Sequence, residues 1–166
     1  MKRLTRKLAV LVPTVLAVAS GAAVHAAEPQ PLRAAQVAGL LASGHGAPLL
    51  VEVWSLDCGY CRENAAHLVA WQRQHPQVRL AMVAMDAIDD NASMLTQALA
   101  QMQLPATVAQ YANAEPMPER LRAALDPGWR GELPRTLWIG ADGVRRAQSG
   151  LLAPATLDAW QAGGAR

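Results

Sequence analysis

The sequence predicts a single α/β domain, a three-layer sandwich of helices around a mixed central sheet. Short apolar runs at 49–54, 78–85 and 136–139 alternate with segments of helical periodicity, and that alternation places helices on both faces of a sheet. Near the end, Ala141-Asp142-Gly143 reads as a hairpin turn, which adds antiparallel pairing. The 166 residues are 52% apolar with no low-complexity tract, enough for one ordinary core. Collagenous, fibrous and disordered classes are excluded.

Residues 27–33, rich in proline and polar groups, read as a linker ahead of a domain at 34–162, with 163–166 as a short tail. Ala34, Val37, Leu40 and Leu41 recur at helical spacing until Gly44-His45-Gly46 and Pro48 stop them. Residues 49–54 (LLVEVW) are nearly all apolar with β-branched members, the mark of a strand buried on both faces. Asp57-Cys58-Gly59-Tyr60-Cys61 then opens a helix in which Cys61, Ala65, Leu68 and Val69 share a face, ended by His75-Pro76. The order is strand, CxxC, helix.

A second buried strand is expected at 78–85. Leu95, Ala98, Leu99 and Met102 mark a helix over 91–104, with Asn91 or Ser93 as its cap. Three prolines make 105–118 read as irregular, before a short helix at 119–125 stopped by Asp126-Pro127-Gly128. A strand at 136–139, its hairpin partner at 144–148 and a helix at 154–162 complete the chain.

The formal charge of +2 is a property of the first residues. Lys2, Arg3, Arg6 and Lys7 precede an apolar run at 8–24 and a small-residue site at Val24-His25-Ala26-Ala27, the pattern of an export signal over 1–26. Removing those four of the 15 cations leaves 11 Arg against 13 acids, or −2. A basic surface for nucleic acid is therefore not expected. Retained instead of cleaved, the same run would anchor the protein in a membrane, at the lower limit of a spanning length. Both readings put the domain outside the cytoplasm, in an oxidising space such as the periplasm.

Cys58 and Cys61 are the only two cysteines. They close too small a loop to staple a scaffold. In a helix opening at Cys58, their spacing puts both sulfurs at the first turn, within reach of a disulfide. Unpaired N–H groups and the positive end of the macrodipole favour a thiolate there. The more N-terminal cysteine attacks, and the other, one turn in, resolves. A zinc site lacks ligands, since His45, His67 and His75 are scattered. Covalent haem would need His where Arg62 stands. An inert structural disulfide remains open.

Glu52, within an apolar strand, should ionise only well above the ordinary carboxylate range, unless it lies at a strand end facing water. Asp57 is a natural N-cap, but its charge opposes a Cys58 thiolate. At about 6 Å and an effective dielectric of about 40 that repulsion is about 1.4 kcal/mol. Trp54 is either a wall of the site or plain core. Met82, Met85, Met94, Met102 and Met117 read mostly as core filler, His67 as part of a solvated helix face, and Arg145-Arg146 as a charged rim.

The segment from Val51 to Cys61, with an acid six residues before the first cysteine and Trp four before it, resembles the strand-to-CxxC segment of the thioredoxin superfamily. Gly131-Glu132-Leu133-Pro134-Arg135-Thr136-Leu137 is similar to the family's Gly-x-Pro-Thr segment. Ala141-Asp142-Gly143 and Gly150 stand where the family has its hairpin and following glycine. The long stretch between Cys61 and Pro134 accommodates an extra helical segment, here 91–125, as in the periplasmic TlpA-like branch. That branch usually has Glu three and Pro five residues after the second cysteine, where this chain has Asn64 and Ala66. Gly59-Tyr60 is the dipeptide of DsbC-type isomerases.

The resemblance implies a thioredoxin-like sandwich and a thiol:disulfide oxidoreductase that needs no cofactor or metal. Its substrate proteins would bind through transient mixed disulfides, and a redox partner protein, such as a membrane electron donor, would restore its starting state. It implies that Glu52 serves as general base for Cys61. It also implies a cis Leu133–Pro134 bond beside the cysteines, against the alternative of a trans proline starting a strand. The reductase direction is expected over oxidase or isomerase, because no dimerisation region is visible and Asp57 disfavours the thiolate. A copper-binding chaperone using the two thiols is the alternative from another class.

Overall fold

The computed structural model describes residues 28–42 and 46–163; the expected export signal and the last three residues lie outside them. The elements are β1 (Gln30–Leu32), α1 (Ala34–Ala42), β2 (Leu49–Trp54), α2 (Gly59–Gln74), β3 (Arg79–Ala87) and α3 (Ile88–Gln101), then β4 (Ala109–Asn113), α4 (Pro118–Leu125), β5 (Arg135–Ile139), β6 (Arg145–Ser149) and α5 (Pro154–Gly163). The strands form one six-stranded sheet in the order β1-β4-β3-β2-β5-β6. Strands β1 to β4 run parallel to one another, while β5 is antiparallel to β2 and β6 to β5. The expected mixed sheet is present.

Alternation along the strands sorts the core into two layers. On one face Leu50, Trp54, Leu80, Met82 and Trp138 pack against the buried faces of α2, α3 and α5. On the other, Leu49, Val51, Val53, Val83 and Ile139 pack against Val37 and Leu41 of α1 and Leu121 and Leu125 of α4. All six residues of β2 are buried. That is why this strand reads as an unbroken apolar run, and why the acid inside it has no access to solvent. Helix α2 is tied to α5 by a 2.7 Å hydrogen bond from Trp71 Nε1 to Asp158 Oδ1.

Several expectations need correction. Residues 30–32, expected as linker, form β1 beside β4. Pro31 lacks a backbone donor, and an edge strand tolerates that. The stretch 105–118 is not wholly irregular, because it contains β4. Ala109-Gln110-Tyr111-Ala112-Asn113 has no β-branched residue, so nothing local marks it as a strand. Its strand character comes from parallel partners on both sides, β1 and β3. The inserted segment is therefore helix, strand, helix.

Helix α3 begins at Ile88, because β3 runs on to Ala87 through an irregular register after Ala84 and turns directly into it. Ala87 holds the cap position without a side-chain bond. Asn91, expected as a cap, instead sits one turn inside and donates from Nδ2 to Ala87 O at 2.9 Å. The hairpin forms as expected. Gly140 donates its amide to Val144 O at 2.8 Å, and Gly143, at φ +80°, takes the left-handed conformation that the turn requires.

Leu121→Ala, on the sheet face away from the cysteines, should lower the unfolding free energy by about 2–5 kcal/mol. Urea titration should show a lower midpoint at unchanged slope. A loss below about 1 kcal/mol would contradict the close packing of α4 on the sheet.

Candidate active site

The site is assembled where β2 ends and α2 begins. Between them, the Leu56 amide donates to Asp86 Oδ2 at 2.9 Å, pinning the connection to the end of β3. The Cys58 amide donates to Ser55 O at 3.2 Å, closing a turn ahead of the helix. Cys58 itself, in extended conformation and without a side-chain capping bond, occupies the N-cap. Asp57, expected there, is displaced one position outward and is exposed. The turn has taken up the residue that the cap would have used.

Cys58 and Cys61 are joined by a disulfide, their Cα atoms 5.4 Å apart. Cys58 is half-buried and Cys61 is fully buried. An external thiol or thiolate therefore reaches Cys58 first. Both sulfurs stand at the first turn of α2, where backbone N–H groups have no intrahelical acceptor and the dipole favours negative charge. Tyr60, between the cysteines, is 66% exposed, an apolar ring held in solvent beside the disulfide.

Beneath α2 lies Glu52, fully buried. The alternative of a strand-end carboxyl facing water is excluded by that burial. Among the described residues, neither carboxyl oxygen makes a hydrogen bond. Desolvation pushes its pKa well above the ordinary 4.5; the nearby Asn64 side chain opposes that shift in part. Glu52 faces the same layer as Leu50 and Trp54, the layer that holds Cys61.

Asn64 and Thr136 are also fully buried. Asn64 Nδ2 donates to Thr136 Oγ1 at 3.1 Å, and its Oδ1 accepts the Leu152 amide at 2.8 Å. Thr136 on β5 stands directly opposite Glu52 on β2. Sequence reasoning registered Asn64 only as a departure from a family pattern. A signal was present, because Asn64 adjoins Cys61, Ala65 and Leu68 on the apolar stripe of α2. A polar residue on such a stripe needs buried partners.

The Leu133–Pro134 peptide is cis. Pro134 is buried, and its carbonyl accepts the Gly150 amide at 2.8 Å. Leu133, Leu56 and Cys58 all border the same core layer. Trp54 is core: it is 1% exposed, and its indole nitrogen has no hydrogen-bond partner among the described residues. His67 is on the exposed side of α2. Of the methionines, Met82 is buried, whereas Met94 and Met117 are largely exposed.

The chain has the thioredoxin-like fold. It matches a secreted Mycobacterium tuberculosis disulfide oxidoreductase homologous to E. coli DsbE, with TM-score 0.53 and 21% identity over 74% of this chain and 85% of that one. It also matches a thiol:disulfide interchange protein of the thioredoxin family from Chlorobium tepidum, with TM-score 0.54 and 20% identity over 74% and 83%. A third is the thioredoxin domain of a thiol-disulfide oxidoreductase from Bacteroides vulgatus, with TM-score 0.55 and 14% identity over 72% and 83%. No protein-family model and no curated protein sequence matches the chain.

The buried carboxyl makes stability depend on pH. In the window above 4.5 and below its raised folded value, Glu52 keeps a proton that the unfolded chain releases. Stability therefore falls as pH rises through that window. Glu52→Gln removes this slope. Its melting temperature relative to the native chain should climb from about pH 4 upward. A difference constant with pH would show that the carboxyl is not desolvated.

Proposed function

We propose that this protein is an extracytoplasmic thiol:disulfide oxidoreductase acting on client proteins. The observation that carries this reading is the Cys58–Cys61 disulfide at the start of α2, with one sulfur accessible and the other buried, on a thioredoxin-like fold. The export-signal pattern of residues 1–26 supports the location. The compared proteins, described as disulfide oxidoreductases and an interchange protein, support the chemistry.

In the reducing direction the Cys58 thiolate attacks one sulfur of a client disulfide. A Cys58–client bond forms and the other client sulfur leaves as a thiolate, to be protonated by water. Glu52, as carboxylate, takes the Cys61 thiol proton. The Cys61 thiolate attacks Cys58 Sγ, closing the intramolecular disulfide and releasing the second client thiolate. Two electrons pass from the dithiol to the client, and a partner dithiol must return them. Leu133, half-buried just before Pro134, borders the same core layer as Cys58, and an extended client segment would dock along its backbone.

The reductase direction draws support from Asp57, exposed and adjacent to Cys58, because its charge disfavours the thiolate. One charge is small against the span of about 150 mV between thioredoxin and DsbA, so the potential must be measured. Equilibration with glutathione should place it nearer the thioredoxin value of about −270 mV. A value near −120 mV would make the protein an oxidant instead.

Cys61→Ala should accumulate mixed disulfides with exported proteins through Cys58, and Cys58→Ala should accumulate none. Cys58→Ser should abolish insulin reduction. Absence of trapped clients together with retained insulin reduction in Cys58→Ser would overturn exchange at this pair.

A further inference from the structure

Asn64 carries more than a packing role can explain. It is fully buried on α2, one turn beyond Cys61, and both ends of its amide are bonded to distant parts of the chain. The Leu152 amide can only donate, so the atom that meets it is the Asn64 oxygen. That sets the orientation of the side chain without ambiguity. Its NH2 end is turned toward β5, to Thr136, and Thr136 is the cross-strand neighbour of Glu52. One Nδ2 hydrogen is used by Thr136. The other is not used by Thr136, whose cross-strand neighbour is a carboxyl with neither oxygen hydrogen-bonded among the described residues.

We propose that Asn64, aimed by Thr136 and the Leu152 amide, is a positioning residue that offers its second Nδ2 hydrogen to the Glu52 carboxylate when Cys61 is deprotonated. The proposal rests on Glu52 acting as the base for Cys61. A carboxyl in this layer is at ease while neutral, since an unpaired anion there would be strongly disfavoured. To accept the Cys61 proton it must first exist as an anion near neutral pH. A fixed donor favours that anion specifically, as hydrogen bonds to charged acceptors do. The direction agrees with the partial opposition of Asn64 to the desolvation of Glu52. The amide is already oriented, so no reorganisation accompanies proton transfer.

Little else around Glu52 titrates. Its neighbours across the sheet are Met82 on β3 and Thr136 on β5. From α2 the layer receives Cys61, whereas Arg62, Glu63 and His67 are exposed. From α5 and the segment before it come Leu157 and Leu152, and Asp158 is bonded to Trp71. From the end of β3, Asp86 is bonded to the Leu56 amide. The other buried carboxyl among the described residues, Glu115, bonds the Ala34 amide and pairs with Arg120, beside the α1–α4 layer. Asn64 is thus the neutral group placed to tune Glu52.

The test isolates the Cys61 step. Reduced protein is mixed with 5,5′-dithiobis(2-nitrobenzoate). Cys58 displaces one thionitrobenzoate and forms a mixed disulfide, and attack by Cys61 releases the second. The rate of that second release is followed at 412 nm from about pH 5 to 10. In the native protein it should rise with a midpoint set by Glu52. Glu52→Gln should lose that midpoint. Asn64→Asp keeps the size and the acceptor for Leu152 but replaces the donor by a like charge. It should move the midpoint upward by about one pH unit or more, a tenfold slower release below the midpoint. Thr136→Val, which keeps the volume and removes only the group that aims the amide, should shift it the same way by less, and carries the test if Asn64→Asp does not fold.

A purely structural Asn64 would lower the melting temperature of both variants and leave their midpoints on the native one; that result, with Glu52→Gln still flattening the profile, overturns the role of Asn64 alone. If Glu52→Gln retains the native midpoint, the base itself is misassigned and the inference fails with it.

Discussion

Strand β2 is buried along its whole length, and it lies between β3 and β5 with helices on both faces. Burial on both sides makes a strand an efficient anchor, because its apolar side chains gain on either face. It also means that whatever β2 carries is carried in a dry place. The strand delivers the chain directly to the start of α2, so the disulfide inherits the rigidity of the sheet. It places Glu52 under that helix, out of contact with bulk solvent. The position of the sulfurs and the raised basicity of the acid thus share one cause.

The polar groups of the core follow from the same constraint. A six-residue strand with an acid in it would be costly unless the acid stays neutral most of the time. Asn64 and Thr136 answer each other across the layer, and the Leu152 amide completes the set. The segment after β6 is thereby attached to α2, just as Gly150 is attached to Pro134. These bonds bring together α2, β5 and the loop before α5, three regions far apart in sequence. The disulfide has one half-buried cysteine, Cys58, and one fully buried cysteine, Cys61.

The legible parts were those with a local cause. β2 and β3 are apolar runs, α2 follows a helical stripe, and the hairpin at Asp142-Gly143 follows from turn chemistry. Cys58, Cys61 and Glu52 could be singled out because residue type and spacing alone limit what they can do. The elements missed had no local cause. β1 contains a proline, and β4 has no β-branched residue; β1 is a strand only because β4 lies beside it, and β4 because it runs between β1 and β3. The cap of α2 moved from Asp57 to Cys58 because a turn anchored on Asp86 took the preceding residues.

The amino-acid order by itself determined the layered α/β class, the pairing of two cysteines at one helix start and the presence of an acid in a buried strand. Those properties depend on neighbours within a few positions, where periodicity and spacing act directly. Only the tertiary structure decided that Glu52 faces the layer of Cys61, that Asn64 is oriented by Leu152 and that Thr136 stands opposite the acid. The first depends on which face of the sheet α2 packs against, and the other two join residues more than eighty positions apart; burial and hydrogen-bond partners of that kind exist only once the sheet register has been chosen.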